Sequence, residues 1–382
     1  MQTDALVERA NAAFRTGNLK HALELLEDAA QHRPDDPTLW LQIAAMHRAS
    51  GNPSDALTAV HKGLAVAPLD FMGLLMRASL LQRMEDPQAG EAWGHALAQK
   101  PSGELPPQLA ATVAEGERHH AAWLEARESR LARAMAGPEQ RGNEEERARI
   151  ARFRSNALRK TRPFHSEPTH FHFPGLVERE FHPRHLFPWL SELEGAADMI
   201  RQEFKAVMAA ERAELVPYIQ YDDHLPLDQW RQLNRNPDWT AIHLWQNGVR
   251  IEANANHCRE TLDLLRRVPQ PSTKGSGPNA MFSLLAPHTH IPAHVGVTNT
   301  RLVCHLPLIV PEGCWFRAGA ETRAWRPGEA FVFDDTIEHE AMNPSDELRV
   351  VFIFDIWHPD LSEVEREAVA ALLALETGGA AL

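Results

Sequence analysis

The sequence predicts an α+β chain in which a helical repeat portion precedes a β-sheet domain with flanking helices. Three observations lead there. Over the first hundred residues, turn and small residues recur at a fixed step: Pro34, Pro68 and Pro101 are 34 and 33 apart, Gly17 and Gly51 are 34 apart, and Ala22, Ala56 and Ala89 are 34 and 33 apart. A period of that length marks stacked helix pairs, none of which can bury its apolar face alone. Further on, short runs rich in Val, Ile, Leu and Phe alternate with Pro, Gly, Asn and Asp, the pattern of strands joined by turns. Between the two lies the polar stretch Gly137-Pro138-Glu139-Gln140-Arg141-Gly142-Asn143. The expected organisation is helical repeats over 1–136, a polar and basic linker over 137–165, and the sheet domain over 166–382.

Taken in order, the repeats come first. Small residues let paired helices approach, and glycine and proline end them. The second unit is the clearest, with Trp40, Ala44, Gly51, Ala56 and Pro68, and the third has Glu85 near where glycine would fall. This pattern resembles the tetratricopeptide repeat; the alternative is an unrelated helical bundle. Pro106 to Ala136 reads as further helix, a capping pair for the stack, and the polar stretch then breaks the pattern. Arg147 to Arg162 carries seven basic residues, read as a solvated helix facing an acidic remainder in preference to a nucleic-acid stripe. Helices are expected from Pro188 to Ala213 and a strand from Asp238 to Gly248, with Trp230 and Trp245 as core aromatics. Strands follow at Ala280 to Leu285, Arg301 to Val310, Ala330 to Asp334 and Leu348 to Ile356, with Trp325-Arg326-Pro327-Gly328 as a turn. Ser362-Glu363-Val364-Glu365 is a capping box opening a C-terminal helix, which Gly378-Gly379 should end.

Along a strand, side chains alternate between faces, so Arg301, Val303 and His305 share one face and Leu302, Cys304 and Leu306 the other. One face can therefore carry chemistry while its opposite packs. The stretch Met281 to Pro359, MFSLLAPHTHIPAHVGVTNTRLVCHLPLIVPEGCWFRAGAETRAWRPGEAFVFDDTIEHEAMNPSDELRVVFIFDIWHP, resembles the catalytic core of the aspartyl/asparaginyl β-hydroxylases in several separated motifs taken in one order. FHFPGLVEREFHPRHLFPWLSELE from Phe171 resembles the start of the hydroxylase domain in that family.

The resemblance implies a double-stranded β-helix, a jelly-roll or cupin-like oxygenase fold, that uses Fe(II), 2-oxoglutarate as cosubstrate and O2. It implies His294 and His339 as the metal ligands. Non-haem iron oxygenases usually add a carboxylate two residues after the first histidine. Here Gly296 stands there, the pattern of this family, in which water takes the missing position; His288 and His290 remain alternatives for it. The resemblance further assigns Arg349 to the distal carboxylate of 2-oxoglutarate, which its planar fork can grip through two parallel bonds, and Ser283 and His305 to the same cosubstrate. The alternatives are a strand-edge ion pair of Arg349 with Asp346 or Glu347, and an ordinary strand serine at 283. Family members commonly carry two arginines in the strand ending His-Leu-x-Leu. Arg301 keeps the first for substrate binding, but Val303 replaces the second. Either Arg301 serves for both, or the substrate carries less negative charge than an aspartate side chain.

The resemblance thus implies hydroxylation at an unactivated C–H, first at the β-carbon of Asp or Asn in a peptide or protein gripped by the repeats. A small-molecule or lipid-derived substrate is the alternative within the same chemistry, and a non-catalytic repeat scaffold with an inactive oxygenase domain is the alternative outside it. Composition sets outer bounds. A formal charge of −13 disfavours nucleic acid and anionic membranes as partners. The three cysteines, Cys258, Cys304 and Cys314, have no metal-like spacing and suit a reducing cytoplasm as buried thiols. MQTDALVERANAAFRTG has acidic residues and no apolar core, unlike a signal peptide, and no run of about 18 apolar residues exists to span a bilayer. Oligomeric state has no signature in the sequence.

Overall fold

The computed structural model describes residues 2–210, 215–220, 222, 224, 229, 231–232, 234–273 and 275–376. Trp230 and the glycine pair at 378–379 lie outside the described residues. The chain divides into two compact units, Met1–Gln140 and Arg141–Leu382.

The first unit contains α1 (Gln2–Arg15), α2 (Leu19–His32), α3 (Pro37–Ala49), α4 (Pro53–Val66), α5 (Phe71–Arg83), α6 (Ala89–Ala98) and α7 (Pro107–Arg141). The helix pairs are punctuated as the period requires. Asp36 and Asp70 cap α3 and α5 through their side chains, satisfying amide groups the first helical turn leaves orphaned. Gly17 and Gly51 end α1 and α3 at φ +80° and +78°, and Glu85 takes the same left-handed conformation at +56° after α5. The third repeat therefore keeps the geometry with a residue that adopts it at a cost of ~1–2 kcal/mol. Ala22, Ala44, Ala56 and Ala78 are fully buried between helices, in two apolar clusters running through the stack. The expected break at Gly137 does not occur. α7 continues through Pro138 to Arg141, and the chain turns at Gly142. Pro138 falls in the last turn, where only the final residues of the helix depend on the ladder that proline interrupts.

In the second unit, α8 (Glu144–Ala157) opens with a full capping box between Asn143 and Glu146. The basic run expected to face acidic groups does so: Arg152 pairs with Glu180 and Glu321, and Arg162 with Glu338 at 2.7 Å. α9 (Leu190–Gly195) and α10 (Ala197–Ala209) occupy the predicted helical region. α11 (Glu252–Ala255) and α12 (Arg259–Leu265) follow later, and α13 (Glu363–Glu376) begins at the predicted box, Ser362 and Glu365 bonding reciprocally.

The strands are β1 (Phe181–His182), β2 (Val216–Pro217), β3 (Trp239–Gln246), β4 (Val249–Arg250), β5 (Ala280–Leu285), β6 (Thr289–His294), β7 (Arg301–Ile309), β8 (Trp315–Ala318), β9 (Glu321–Ala324), β10 (Phe331–Phe333), β11 (His339–Asn343) and β12 (Arg349–Trp357). They form two antiparallel sheets. The larger has the order β1-β10-β7-β12-β5-β3-β2 with β4 beside β3, and the smaller β6-β11-β8-β9. From β5 onward, with β8 and β9 counted as one hairpin, successive strands alternate between the two sheets, the jelly-roll solution of the double-stranded β-helix. One face of the larger sheet packs Leu302, Cys304, Leu306, Phe352 and Phe354 against Phe187, Leu190, Ile200 and Phe204 of the helical side. Its other face contributes Trp239, Met281, Val303, Val351 and Ile353 to a core shared with Ile291, Phe316 and Ala341 of the smaller sheet. The predicted alternation along β7 therefore holds, with Val303 turned toward the inter-sheet space and its neighbours toward the helices. Trp245 packs against the helical-side core as a half-buried aromatic. The thiols of Cys258, Cys304 and Cys314 are buried and free. Among the described residues, no helix is long and apolar enough to cross a membrane.

Candidate active site

The space between the two sheets is not filled. A cavity of about 230 Å³ is lined by Ser283, His294, Gly296, Arg301, Val303, His305, His339 and Arg349, together with Tyr218, Trp239, His243, Trp325, Asp335 and Asp355. The first eight of these were singled out in the sequence, and they meet on one surface.

His294 ends β6 and His339 begins β11, and the two face each other across the strand pair as directly opposed residues. Their rings stand 4.1 Å apart between centroids, inclined by 54°. His294 Nδ1–H donates to the Pro292 carbonyl at 2.7 Å, and His339 Nδ1–H to the Ile337 carbonyl at 3.1 Å. A carbonyl can only accept, so these bonds place the proton on Nδ1 and the lone pair on Nε2 of both rings. Burial keeps both imidazoles neutral: it holds His294 well below its ordinary pKa, helped by the nearby His339, and lowers His339 to about 4. Two neutral, oriented imidazoles with Nδ1 tied to backbone carbonyls offer two nitrogen donors on one side of the cavity; among the described residues no group of three or more histidine, cysteine or carboxylate side chains is clustered as a metal site.

Gly296 is where the third ligand of a general iron oxygenase would stand, and its missing side chain has a physical counterpart. A Cβ there would lie 2.3 Å from Asp335 Oδ2, and the Gly296 amide donates to the Asp335 carbonyl at 2.6 Å. The space is therefore taken by a carboxyl group from the loop before β11. Asp335 is the cavity residue that sequence reasoning passed over, since no local spacing links it to Gly296. His288 and His290 are not brought to the cavity. His288, just before β6, pairs with Asp346 at 2.8 Å, and His290 with Glu340 at 2.9 Å, both exposed. Regular alternation would give His290 and His294 one face, but the β6–β11 pairing shifts register between Ile291 and His294, so those two are buried and His290 is left outside.

Arg349 begins β12 and is 1 % exposed. The alternative ion pair with Asp346 or Glu347 does not form; among the described residues no carboxylate lies within ion-pair distance of Arg349. Its NH1 donates to the carbonyl and the Oγ of Ser283, each at 3.3 Å, its Nε finds no partner, and the guanidinium sits 4.8 Å over the Trp325 ring. Burial without a counter-charge lowers it to about 10. Ser283 Oγ accepts from both Arg349 and Trp239 Nε1, at 3.2 Å for the latter, leaving its own hydrogen to donate. His305 is enclosed by Phe316, Trp325, Phe331 and Phe333, with Nδ1 unpartnered, and burial holds it well below its ordinary pKa. Arg301 differs from Arg349: its NH1 meets Asp355 Oδ2 at 3.3 Å and its NH2 lies 3.9 Å from Asp335.

Residues 194–359 match the family described as Aspartyl/Asparaginyl beta-hydroxylase, and residues 3–46 match the tetratricopeptide repeat. Among curated relatives, the chain is 37% identical over 149 residues to the human aspartyl/asparaginyl beta-hydroxylase, covering 39% of this chain and 19% of that protein. It is 35% identical over 153 residues to the human aspartate beta-hydroxylase domain-containing protein 2, covering 39% and 42%. It is 33% identical over 176 residues to the ornithine lipid ester-linked acyl 2-hydroxylase of Rhizobium tropici, covering 45% and 58%. The matches span less than two thirds of each of these relatives.

Proposed function

Because residues 194–359 match the aspartyl/asparaginyl β-hydroxylase family, we propose that the chain is an Fe(II)- and 2-oxoglutarate-dependent dioxygenase that hydroxylates an unactivated C–H bond. When bound, iron, 2-oxoglutarate and O2 supply the oxidising chemistry, with succinate and CO2 as co-products. The residues lining the cavity fit those groups. His294 and His339 would hold the metal through Nε2, their rings kept in place by the Pro292 and Ile337 carbonyls. The single observation that carries the cosubstrate reading is Arg349, a buried guanidinium with no carboxylate beside it. An isolated buried charge is costly, and a dianionic ligand provides the missing partner through a forked contact. Ser283 adds a hydroxyl donor to the same carboxylate. His305 and the aromatic shell of Phe316, Trp325 and Phe333 keep water from the reacting centre.

The substrate we favour is Asp or Asn in a peptide, with the tetratricopeptide unit engaging the chain that carries it. A small-molecule or lipid-derived substrate is the second reading, favoured by Val303 and by the likeness to the Rhizobium tropici acyl hydroxylase. Anaerobic titration of iron(II) and 2-oxoglutarate, then O2 and a succinate assay with peptides against small molecules, tests both. Succinate stimulated by a peptide supports the first. Cosubstrate binding with only slow, unstimulated succinate moves the search to the second, and absence of binding removes the oxygenase reading.

A further inference from the structure

The Arg301 end of the cavity is chemically unlike the Arg349 end. Asp355 lies six residues along β12 from Arg349, which is about 20 Å of strand. Asp355 is 2 % exposed and is held by the Asn279 amide at 2.9 Å and by Asn279 Nδ2 at 3.0 Å. Its Oδ2 lies 3.3 Å from the Arg301 guanidinium, and Asp335 adds a second carboxyl group 3.9 Å from the same cation. At the next inward position of β7, Val303 offers only methyl groups. This end therefore holds one guanidinium and two carboxyl groups, with no uncompensated positive charge. Two hydrogen-bonding groups there lack partners within the protein: Oδ1 of Asp335, and both ring nitrogens of the buried His243.

We propose that this end of the cavity receives an uncharged carboxamide of the substrate and rejects the isosteric carboxylate. The proposal rests on the oxygenase reading for the reaction itself, and deepens it by naming the group selected. A carboxamide carries two N–H donors and one acceptor, which match the acceptor Oδ1 of Asp335 and the donors of Arg301 or His243. A carboxylate carries acceptors alone. It would set a further carboxylate beside two buried carboxyl groups whose pKa values burial already raises, and it has no hydrogen to donate to Asp335 Oδ1. Sites built to hydrogen-bond one partner discriminate strongly because the wrong partner leaves buried polar groups unpaired.

The test uses the full chain with capped Asn and capped Asp, alone and within otherwise identical peptides. Binding is read anaerobically from tryptophan fluorescence, since Trp239 and Trp325 line the cavity, and turnover from succinate. The Asn ligand should bind at least about tenfold tighter than the Asp ligand, with kcat/KM following. Val303→Arg, which restores a second cation, should shrink that ratio or reverse it. Equal binding, or preference for Asp, overturns the proposal whether or not the variant folds, because the wild-type comparison alone decides it. Binding of neither ligand while slow succinate formation continues also overturns it, and leaves the oxygenase reading standing. Failure to bind 2-oxoglutarate sinks that reading instead, and the ligand titration without cosubstrate still decides the selection.

Discussion

Arg349→Met removes the guanidinium while keeping most of the aliphatic stem. In the wild type this cation is buried with no carboxylate partner, and the fall from its ordinary value of 12.5 to about 10 corresponds to roughly 3 kcal/mol of unrelieved desolvation. Against this stand two hydrogen bonds to Ser283, both 3.3 Å long and so at the weak end of the range for a charged donor, together worth about 3 kcal/mol. The two nearly cancel, so the ligand-free variant should unfold within about 2 kcal/mol of wild type. Binding should not be spared. Loss of one partner of a buried charge contact costs about 2 to 4 kcal/mol, which weakens 2-oxoglutarate by roughly 30- to 1000-fold. Calorimetric titration of the iron-loaded protein measures this directly. Thermal denaturation gives an independent readout: a ligand at a hundred times its Kd stabilises wild type by ~2.7 kcal/mol, and at the same concentration should leave the variant almost unshifted. Unchanged affinity would refute the assignment of Arg349 to the cosubstrate. Severe destabilisation without ligand would instead make Arg349 a structural group.

His294→Ala should abolish stoichiometric iron(II) binding in anaerobic dialysis while the circular dichroism spectrum is retained; normal iron content would remove His294 from the ligand set. Gly296→Ala places a methyl group against the Asp335 carboxylate and should cost about 1 to 3 kcal/mol of stability, so an unaltered melting temperature would contradict the close approach described. His182 is buried with both ring nitrogens unpartnered, and burial, then the neighbouring His358, lower it to about 3. Its folded value lies below the unfolded one, so the unfolded chain binds the proton more readily and stability falls as pH drops from about 6.5 toward 3, by roughly 4 to 5 kcal/mol over the window. Urea unfolding at a series of pH values should show this slope, and His182→Leu should flatten it; an equal slope in the variant would assign the acid sensitivity to other groups.

The larger sheet and the repeats were legible because each repeats a local rule. The 34-residue step of glycine, alanine and proline marks helix pairs wherever it occurs, and Glu85 shows that the backbone keeps the turn even where the residue changes. The long apolar runs of β5, β7 and β12 are buried on both faces and read as strands from composition alone. The smaller sheet was less visible. β8, β9 and β11 are short and carry Arg, Glu and Thr on their outer face, so their periodicity is weak, although β6 and β11 carry both candidate metal ligands. The continuation of α7 past Gly137-Pro138 was misread for the converse reason: a strong local breaker near a helix end removes little of the ladder.

By itself the sequence determined the order of a helical repeat unit and a β domain, the inward face of β7, and the candidates His294, His339, Arg349, Ser283 and His305, since these depend on period and motif. Only tertiary structure decided which charges are already matched. Arg301 and Arg349 look alike in sequence, yet one meets Asp355 and Asp335 while the other meets none. The same folding excludes His288 and His290 and sets Asp335 against Gly296. The Arg301 and Gly296 pairings join residues 34 to 54 positions apart across strands and loops, and electrostatic energy depends on distance in space and on burial, neither of which is written in the spacing along the chain.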